Sequence, residues 1–376
     1  MSLTSVLARS RNDREAWRYT DLAALLPAAC PPSEASQTGV QDAIDRGTLP
    51  SVIEEPSLRL RLAFVDGIFD PLLSHGGEWP TGLRVEAKGS HCSITAEVET
   101  CLVTAPLELV FFHRRGLASY LERNTQLHIS LGESSRLTLI EHHFGEDNCA
   151  AVHVAESFIT LDPHAKLSHA MLFHRAPAAT CLARTEAHLA KGAFYRHFAL
   201  IKDTKLVRNE LLIGLEGEQA QTTLDGAMLL RAREHADTYI KVLHAAPYAT
   251  SRQFYKSIVQ DRAKGAFQGK ILVEPAGQHA DARQTCRALL LSDQAEMNAK
   301  PELEIYADDV QCSHGCATGT LDDDALFYLR SRGLSESQAH AMLLRAFVDE
   351  IMNESHAGEC STFAQSLAER WFDDAS

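Results

Sequence analysis

Between about Leu102 and Asp309 the chain is a train of short alternating or apolar runs, each closed by a small polar turn. LELVFF, TQLHISL, RLTLIEHH, ESFITL, KLSHAMLF, FYRHFALI, NELLIGL, TYIKVL and KILVE all have the length and composition of β-strands. The turns between them include Gly132-Glu133-Ser134, Asp162-Pro163-His164, Lys191-Gly192, Gly214 to Gly217, Lys264-Gly265 and Pro275-Ala276-Gly277. Several recur at roughly 25 to 30 residues, the length of one two- or three-strand coil of a β-solenoid. A β-sandwich also produces many short strands with regular turns. The polar and small residues in TEAHLAKGAFYRHF and EQAQTTLDGAM favour the solenoid, whose strands turn one face to a narrow stacked core and the other outward.

The two ends read differently. The first 30 residues read as helical: DREAWRYTDLAALL carries Trp17, Leu22, Ala23 and Leu26 at helical spacing, and Pro27, Pro31 and Pro32 stop the pattern. RLRLAFVDGIFD reads as two short strands around Asp66-Gly67, a dipeptide suited to a tight hairpin. After Pro301 helices return. Asp322 is placed to cap one that Gly333 ends, and Ser335 with Gln338 makes a capping box for the next. That second helix is expected to bury Ala339, Met342, Leu343, Ala346, Phe347 and Ile351, and a last one after Ser361 sets Phe363, Leu367 and Trp371 on one side.

Charge narrows the function. With 36 Lys and Arg against 50 Asp and Glu in 376 residues, the net charge of −14 disfavours nucleic acid, whose binding depends on basic residues displacing counterions. Apolar content of 45% is ordinary for a globular protein with a substantial core. The nine cysteines are an odd number without the regular spacing of a disulfide-stapled scaffold. MSLTSVLARSRNDREAW has no apolar core of a signal peptide, and no run reaches the roughly 18 apolar residues of a membrane span. A cytoplasmic protein with reduced thiols and no membrane association is the expectation.

Standard catalytic signatures are scarce. In Gly265-Ala266-Phe267-Gln268-Gly269-Lys270-Ile271 the first glycine is one position too close for a P-loop, and Ile271 cannot replace the magnesium-ligating Ser or Thr, so it is not an ATP site. No GxGxxG opens a helix, and GxSxG and HExxH are missing. His142-His143 offers metal donors, but adjacent strand residues point to opposite faces, so only one joins a given site. The densest reactive cluster is Cys312-Ser313-His314-Gly315-Cys316, beside Asp308 and Asp309. Two thiols and an imidazole suit iron, zinc or copper, yet these three donors cannot close a four-ligand cage alone. The same residues also suit plain packing, with Cys312 and Cys316 as small buried side chains around a turn at Gly315.

KPELEIYADDVQCSHGCATGTLDDDALFYLRSRGLSESQAHAMLLRAFVDEI and the preceding SRQFYKSIVQDRAKGAFQGKILVEPAGQHADARQTCRALLLSDQAEMNAKPELEI strongly resemble the SufB/SufD family of iron–sulfur cluster assembly proteins. With LLIGLEGEQAQTTLDGAM and REHADTYIKVLHAAPYATS the resemblance is nearly continuous from about Asn209 to Glu350. The SufD branch fits better, on Glu15-Ala16-Trp17-Arg18-Tyr19-Thr20 and on length. Cys316 departs from the alanine expected after the His-Gly pair, and the match is looser between Gly76 and Pro106.

The resemblance implies a mainly β fold with helical ends. A right-handed parallel β-helix at 101–315 would be flanked by an N-terminal mixed α/β domain at 1–100 and a C-terminal helical domain at 316–376. It implies a scaffold without enzymatic activity in a SufBCD complex, beside a SufB-like paralogue and a SufC-like ABC ATPase that hydrolyses ATP. His314 corresponds to a proposed ligand of iron or a nascent cluster shared with SufB, and Cys312, two residues along a strand, faces the same side. Cys316 is a further candidate. A reduced flavin is a possible cofactor of the complex, and a homodimer is expected when the chain is alone. The ATPase would dock on the C-terminal helices, through Asp322, Leu326, Phe327, Leu329, Arg330 and Phe347. The rivals are a β-helix carbohydrate-active enzyme, disfavoured by the thin aromatic content, and an inert structural scaffold.

Overall fold

In the computed structural model the described residues are 2–22, 26, 60–74, 79–97, 106–114, 122–146, 150–354 and 360–374. Nineteen strands lie among them, from β1 (Leu60–Val65) to β19 (Gln311–Gly319), in one ten-stranded and one nine-stranded sheet. From β4 (His91–Ala96) onward successive strands alternate between the sheets, and each pairs in parallel with the strand two places along. The core is therefore a β-solenoid with two strands per coil, and the sandwich is set aside. Thr222 beside Ser251, and Ser251 beside Ala282, show a repeat of roughly 30 residues. At the start of the stack Asp66 (φ 52°) and Gly67 (φ 78°) turn β1 into β2 (Ile68–Asp70) as an antiparallel hairpin, as the sequence predicts.

The corners explain why the repeat is visible yet loose. Ser134, His164, Gly192, Gln219, Tyr248 and His279 all take positive φ near 60°. Their amides donate to the next coil, Ser134 to the Pro163 carbonyl and Tyr248 to that of Gln278. Arg175, Asp203, Ala232 and Asp261 form a second row of left-handed corners. The coil demands this backbone shape and accepts several side chains in it, because the stacked amide bonds hold it in place.

Between the sheets lies one continuous core that includes Leu109, Leu139, Met171, Ile213, Val242 and Phe267. Helices cover the outer faces. Helices α3 (Glu336–Glu354) and α4 (Cys360–Asp374) lay Leu344, Val348, Ile351 and Trp371 on Ile140, Leu172, Phe198, Leu229 and Phe254 of the ten-stranded sheet. They line the flank of the solenoid and do not plug its end, because the outward residues of the middle strands are themselves apolar. Within α3, Ala339 and Ile351 are buried as predicted, whereas Met342 and Ala346 face out and Leu344, Val348 and Met352 take the inner positions. The apolar strand residues Ile140, Leu172, Phe198, Leu229 and Phe254 take the face of the helix that carries Leu344, Val348, Ile351 and Met352. Leu367 and Trp371 are buried on α4.

At the other end, helix α1 (Leu3–Asn12), capped by Ser2 and Ser5, lies within the first 30 residues, which the sequence predicts to be helical. Residues 14–19 form turns and Pro27, Pro31 and Pro32 lie outside the described residues. The Ala16 carbonyl accepts from Arg208 Nη2 at 2.7 Å and Gln268 Nε2 at 3.0 Å, so tertiary donors replace a helical amide. Trp17 lies 4.5 Å from the Arg208 guanidinium, Thr20 Oγ1 donates to Asp237 at 2.6 Å, and Glu15 pairs with Lys300 at 2.7 Å. The segment Glu15-Ala16-Trp17-Arg18-Tyr19-Thr20 is thus a clasp on the nine-stranded sheet, where Leu3, Val6, Trp17 and Leu22 also cover Val152, Val154, Leu182 and Leu206.

Candidate functional site

Among the described residues, strand β19 is the last of its sheet and pairs only with β17 (Asp281–Leu290), so no described strand pairs with its far edge. Cys312, His314 and Cys316 lie beside Ala282, Gln284 and Cys286, and parallel neighbours in register point the same way. Gln284 and Cys286 are buried inside the solenoid, so the three donors share the inward face where the stack opens. Cys312 is half-buried, while His314 and Cys316 are exposed. The packed-turn reading of Cys316 therefore fails, since Gly315 continues the strand and no later coil among the described residues covers it.

The two thiols differ. A hydrogen bond with Cys286 lowers the Cys316 thiol below its usual range and raises that of Cys286. Burial, then the Asp281 carboxylate, pushes Cys312 up. Cys316 is accordingly the readier thiolate on this edge.

Helix α2 (Asp323–Ser331) follows, with Asp322 Oδ1 accepting from the amides of Asp324 at 2.9 Å and Ala325 at 3.1 Å. Gly333 (φ 99°) lies just past its end, and Ser335 and Gln338 exchange the predicted capping bonds at 2.9 and 3.2 Å. The candidate docking residues separate by exposure. Phe327 is 74% exposed, Leu326 and Leu329 are half-buried, and Arg330 lies 3.6 Å from Glu336; beside them Tyr328, outside the expected set, is 56% exposed. Phe347 instead turns inward beneath Lys256, whose Nζ is 4.2 Å from its ring.

A second group of donors lies inside the solenoid. His142 and His143 do take opposite faces of β7 (Arg136–Gly145). His142 faces Glu108 at 3.8 Å, while His143 points into the core between the rings of Phe111 and Phe173. There it meets His153 of β8 (Val152–Leu161) and Cys181 of β10 (Ala176–Leu189), all three with ligand atoms within 4.8 Å of one another. This buried group can hold a metal ion. Burial alone would raise the neighbouring Glu141, but His169 and His143 outweigh it and hold the carboxyl down at about 2. Sequence reading missed His153 and Cys181, which lie 28 residues apart and meet only through the coil register.

Among the described residues, no helix is long and apolar enough to cross a membrane. The family model described as the SUF-system FeS cluster assembly, SufBD core domain, matches residues 118–347. The chain is 29% identical over 360 residues to the iron–sulfur cluster assembly protein SufD of Escherichia coli, covering 90% of this chain and 83% of that one. It is 37% identical over 173 residues to a SufBD family protein of Synechocystis, covering 46% and 38%. A chloroplastic protein of Arabidopsis thaliana, ABCI7, is 28% identical over 269 residues, covering 68% and 55%.

Proposed function

The chain belongs to the SufBD family of SUF-system iron–sulfur cluster assembly proteins, and from that premise we propose that it is the SufD-like subunit of a SufBCD-type complex in the cytoplasm. The observation that carries this reading is the free edge of β19, which presents two thiols and an imidazole on one face. An unpaired edge strand invites another chain, and a SufB-like paralogue is the partner whose own donors would complete the ligand set. His314 and Cys312 would then hold iron or a nascent cluster as cargo, with Cys316 as a third donor. Donors divided between two subunits suit a transient product, because separation of the chains removes ligands and releases it. Alone, the chain would use the same edge to form a homodimer.

In this reading residues 1–100, 101–315 and 316–376 act as flank, scaffold and coupling unit. The chain has no catalytic role of its own, and a SufC-like ATPase docks against α2 and the outer side of α3 through Asp322, Leu326, Phe327, Leu329 and Arg330, with Phe347 beneath. The exposed Phe327 and Tyr328 support that surface. The first test is co-purification with an ATPase carrying a Walker motif. Reconstitution of the assembled complex with iron and sulfide then compares wild type with His314→Ala. A marked fall in cluster yield is expected. An unaltered yield would leave β19 an inert structural edge, and carbohydrate turnover by the isolated chain would point to the enzyme instead.

A further inference from the structure

The interior donors around Cys181 are arranged more specifically than a hydrogen-bonded core requires. His143 Nδ1 and His153 Nδ1 each lie 4.0 Å from Cys181 Sγ. Each ring commits its other nitrogen elsewhere, His143 Nε2 to Glu141 Oε2 at 3.0 Å and His153 Nε2 to Thr125 Oγ1 at 3.0 Å. A carboxylate only accepts, so His143 carries its proton on Nε2 and turns the Nδ1 lone pair towards the sulfur. Stacking of the His143 ring on Phe111 and Phe173, each at 4.7 Å, fixes its plane.

We propose that His143 Nδ1, His153 Nδ1 and Cys181 Sγ form a resident site for one borderline divalent ion of the zinc or ferrous class, separate from the donors on β19. One thiolate and two imidazoles are the mixed set such ions take, with bonds near 2.3 Å to sulfur and about 2.0–2.1 Å to nitrogen. Those bonds place sulfur and nitrogen about 3.5 Å apart in a tetrahedral site, so closing from 4.0 Å needs only small side-chain shifts. The cavity among His113, His143, His153 and Cys181 is about 10 Å³, room for about one water-sized group. His113 lines the same cavity. Its ring lies 4.7 Å from that of His153, and its buried Nδ1 has no hydrogen-bond partner among the described residues.

Charge agrees with this assignment. On binding, the ion sheds water and the Cys181 thiol releases its proton to solvent. The resulting thiolate and the Glu141 carboxylate, bonded to the His143 ring, then offset the positive charge of the ion. The site goes beyond the assembly role, because neither ligand set contains a residue of the other.

The test uses the full chain, stripped of metal and given Co²⁺ without oxygen, both in the folded state and during refolding. One Co²⁺ per chain is expected, with a sulfur-to-cobalt charge-transfer band and the visible bands of a four-coordinate ion, both displaced by Zn²⁺. Cys181→Ser should abolish the charge-transfer band. Thr125→Val, which leaves every ligand in place but frees the His153 ring, should weaken binding about tenfold or more. A triple Cys312→Ser, His314→Ala, Cys316→Ser variant should keep the signal unchanged. Loss of the band in that triple variant, its persistence in Cys181→Ser, full affinity in Thr125→Val, or no band under either loading protocol would overturn the proposal.

Discussion

The clasp at the N-terminus gives the most demanding energetic prediction. Arg208 and Asp237 are 1% and 0% exposed and form an ion pair that also receives the Thr20 hydroxyl. Removing one partner of a buried pair costs about 3–5 kcal/mol, because the other charge is left without compensation. In Asp237→Ala the guanidinium keeps Glu210 at 3.1 Å and the Ala16 carbonyl, which favours the lower end, about 3 kcal/mol. Replacing both, as Arg208→Met with Asp237→Leu, removes the charges together. Ala16 then keeps Gln268, Thr20 keeps His235 and Glu210 keeps Arg9, so the double variant should lie within about 1 kcal/mol of wild type. Urea unfolding measures the global loss, and amide exchange over residues 13–22 shows whether it begins with release of the clasp. An Asp237→Ala protein as stable as wild type, or a double variant no better than the single, would refute the reasoning.

Other outcomes follow from individual sites. At neutral pH an alkylating reagent should label Cys316 before Cys312, and Cys286→Ala should slow Cys316 by removing the hydrogen bond that lowers its thiol; mass spectrometry of peptides reads both rates. Burial raises Glu234 from 4.5 to about 8, so the folded state holds a proton that the unfolded state loses across that window. Stability should therefore fall as pH rises from 4.5 towards 8, and Glu234→Gln should gain in Tm over wild type as pH climbs. A Cβ at Gly226 would overlap the ring of the buried Tyr255, so Gly226→Ala should cost about 1–3 kcal/mol in chemical unfolding.

Much of the fold was legible because its determinants are local. Asp66-Gly67 names its own hairpin, Asp322 and the Ser335–Gln338 pair mark helix starts, and corner residues such as Ser134 and His164 announce the coils. What escaped depends on contacts between distant coils. Nothing near Ala16 signals that Arg208 and Gln268 take its carbonyl and prevent a helix there. Likewise Met342 has the spacing of a buried residue but faces outward, because the sheet takes the face that carries Leu344, Val348, Ile351 and Met352. Cys312, His314 and Cys316 are close neighbours in sequence, so a local pattern suffices to single them out. His143, His153 and Cys181 are assembled by register alone, which no local pattern encodes.

A stack of coils that touch only their neighbours can peel from its ends one unit at a time. The clasp and the flanking helices change that mechanics. A single N-terminal segment reaches Val152, Leu182, Arg208, Asp237, Gln268 and Lys300, so it lies across successive coils like a stay along a mast. On the opposite side, α3 and α4 bridge from Ile140 to Arg287, whose Nη1 lies 3.2 Å from Glu350. Under load the coils between these two stays must bend or shift together, and a displacement applied to the helices travels along the shaft instead of being absorbed in one joint.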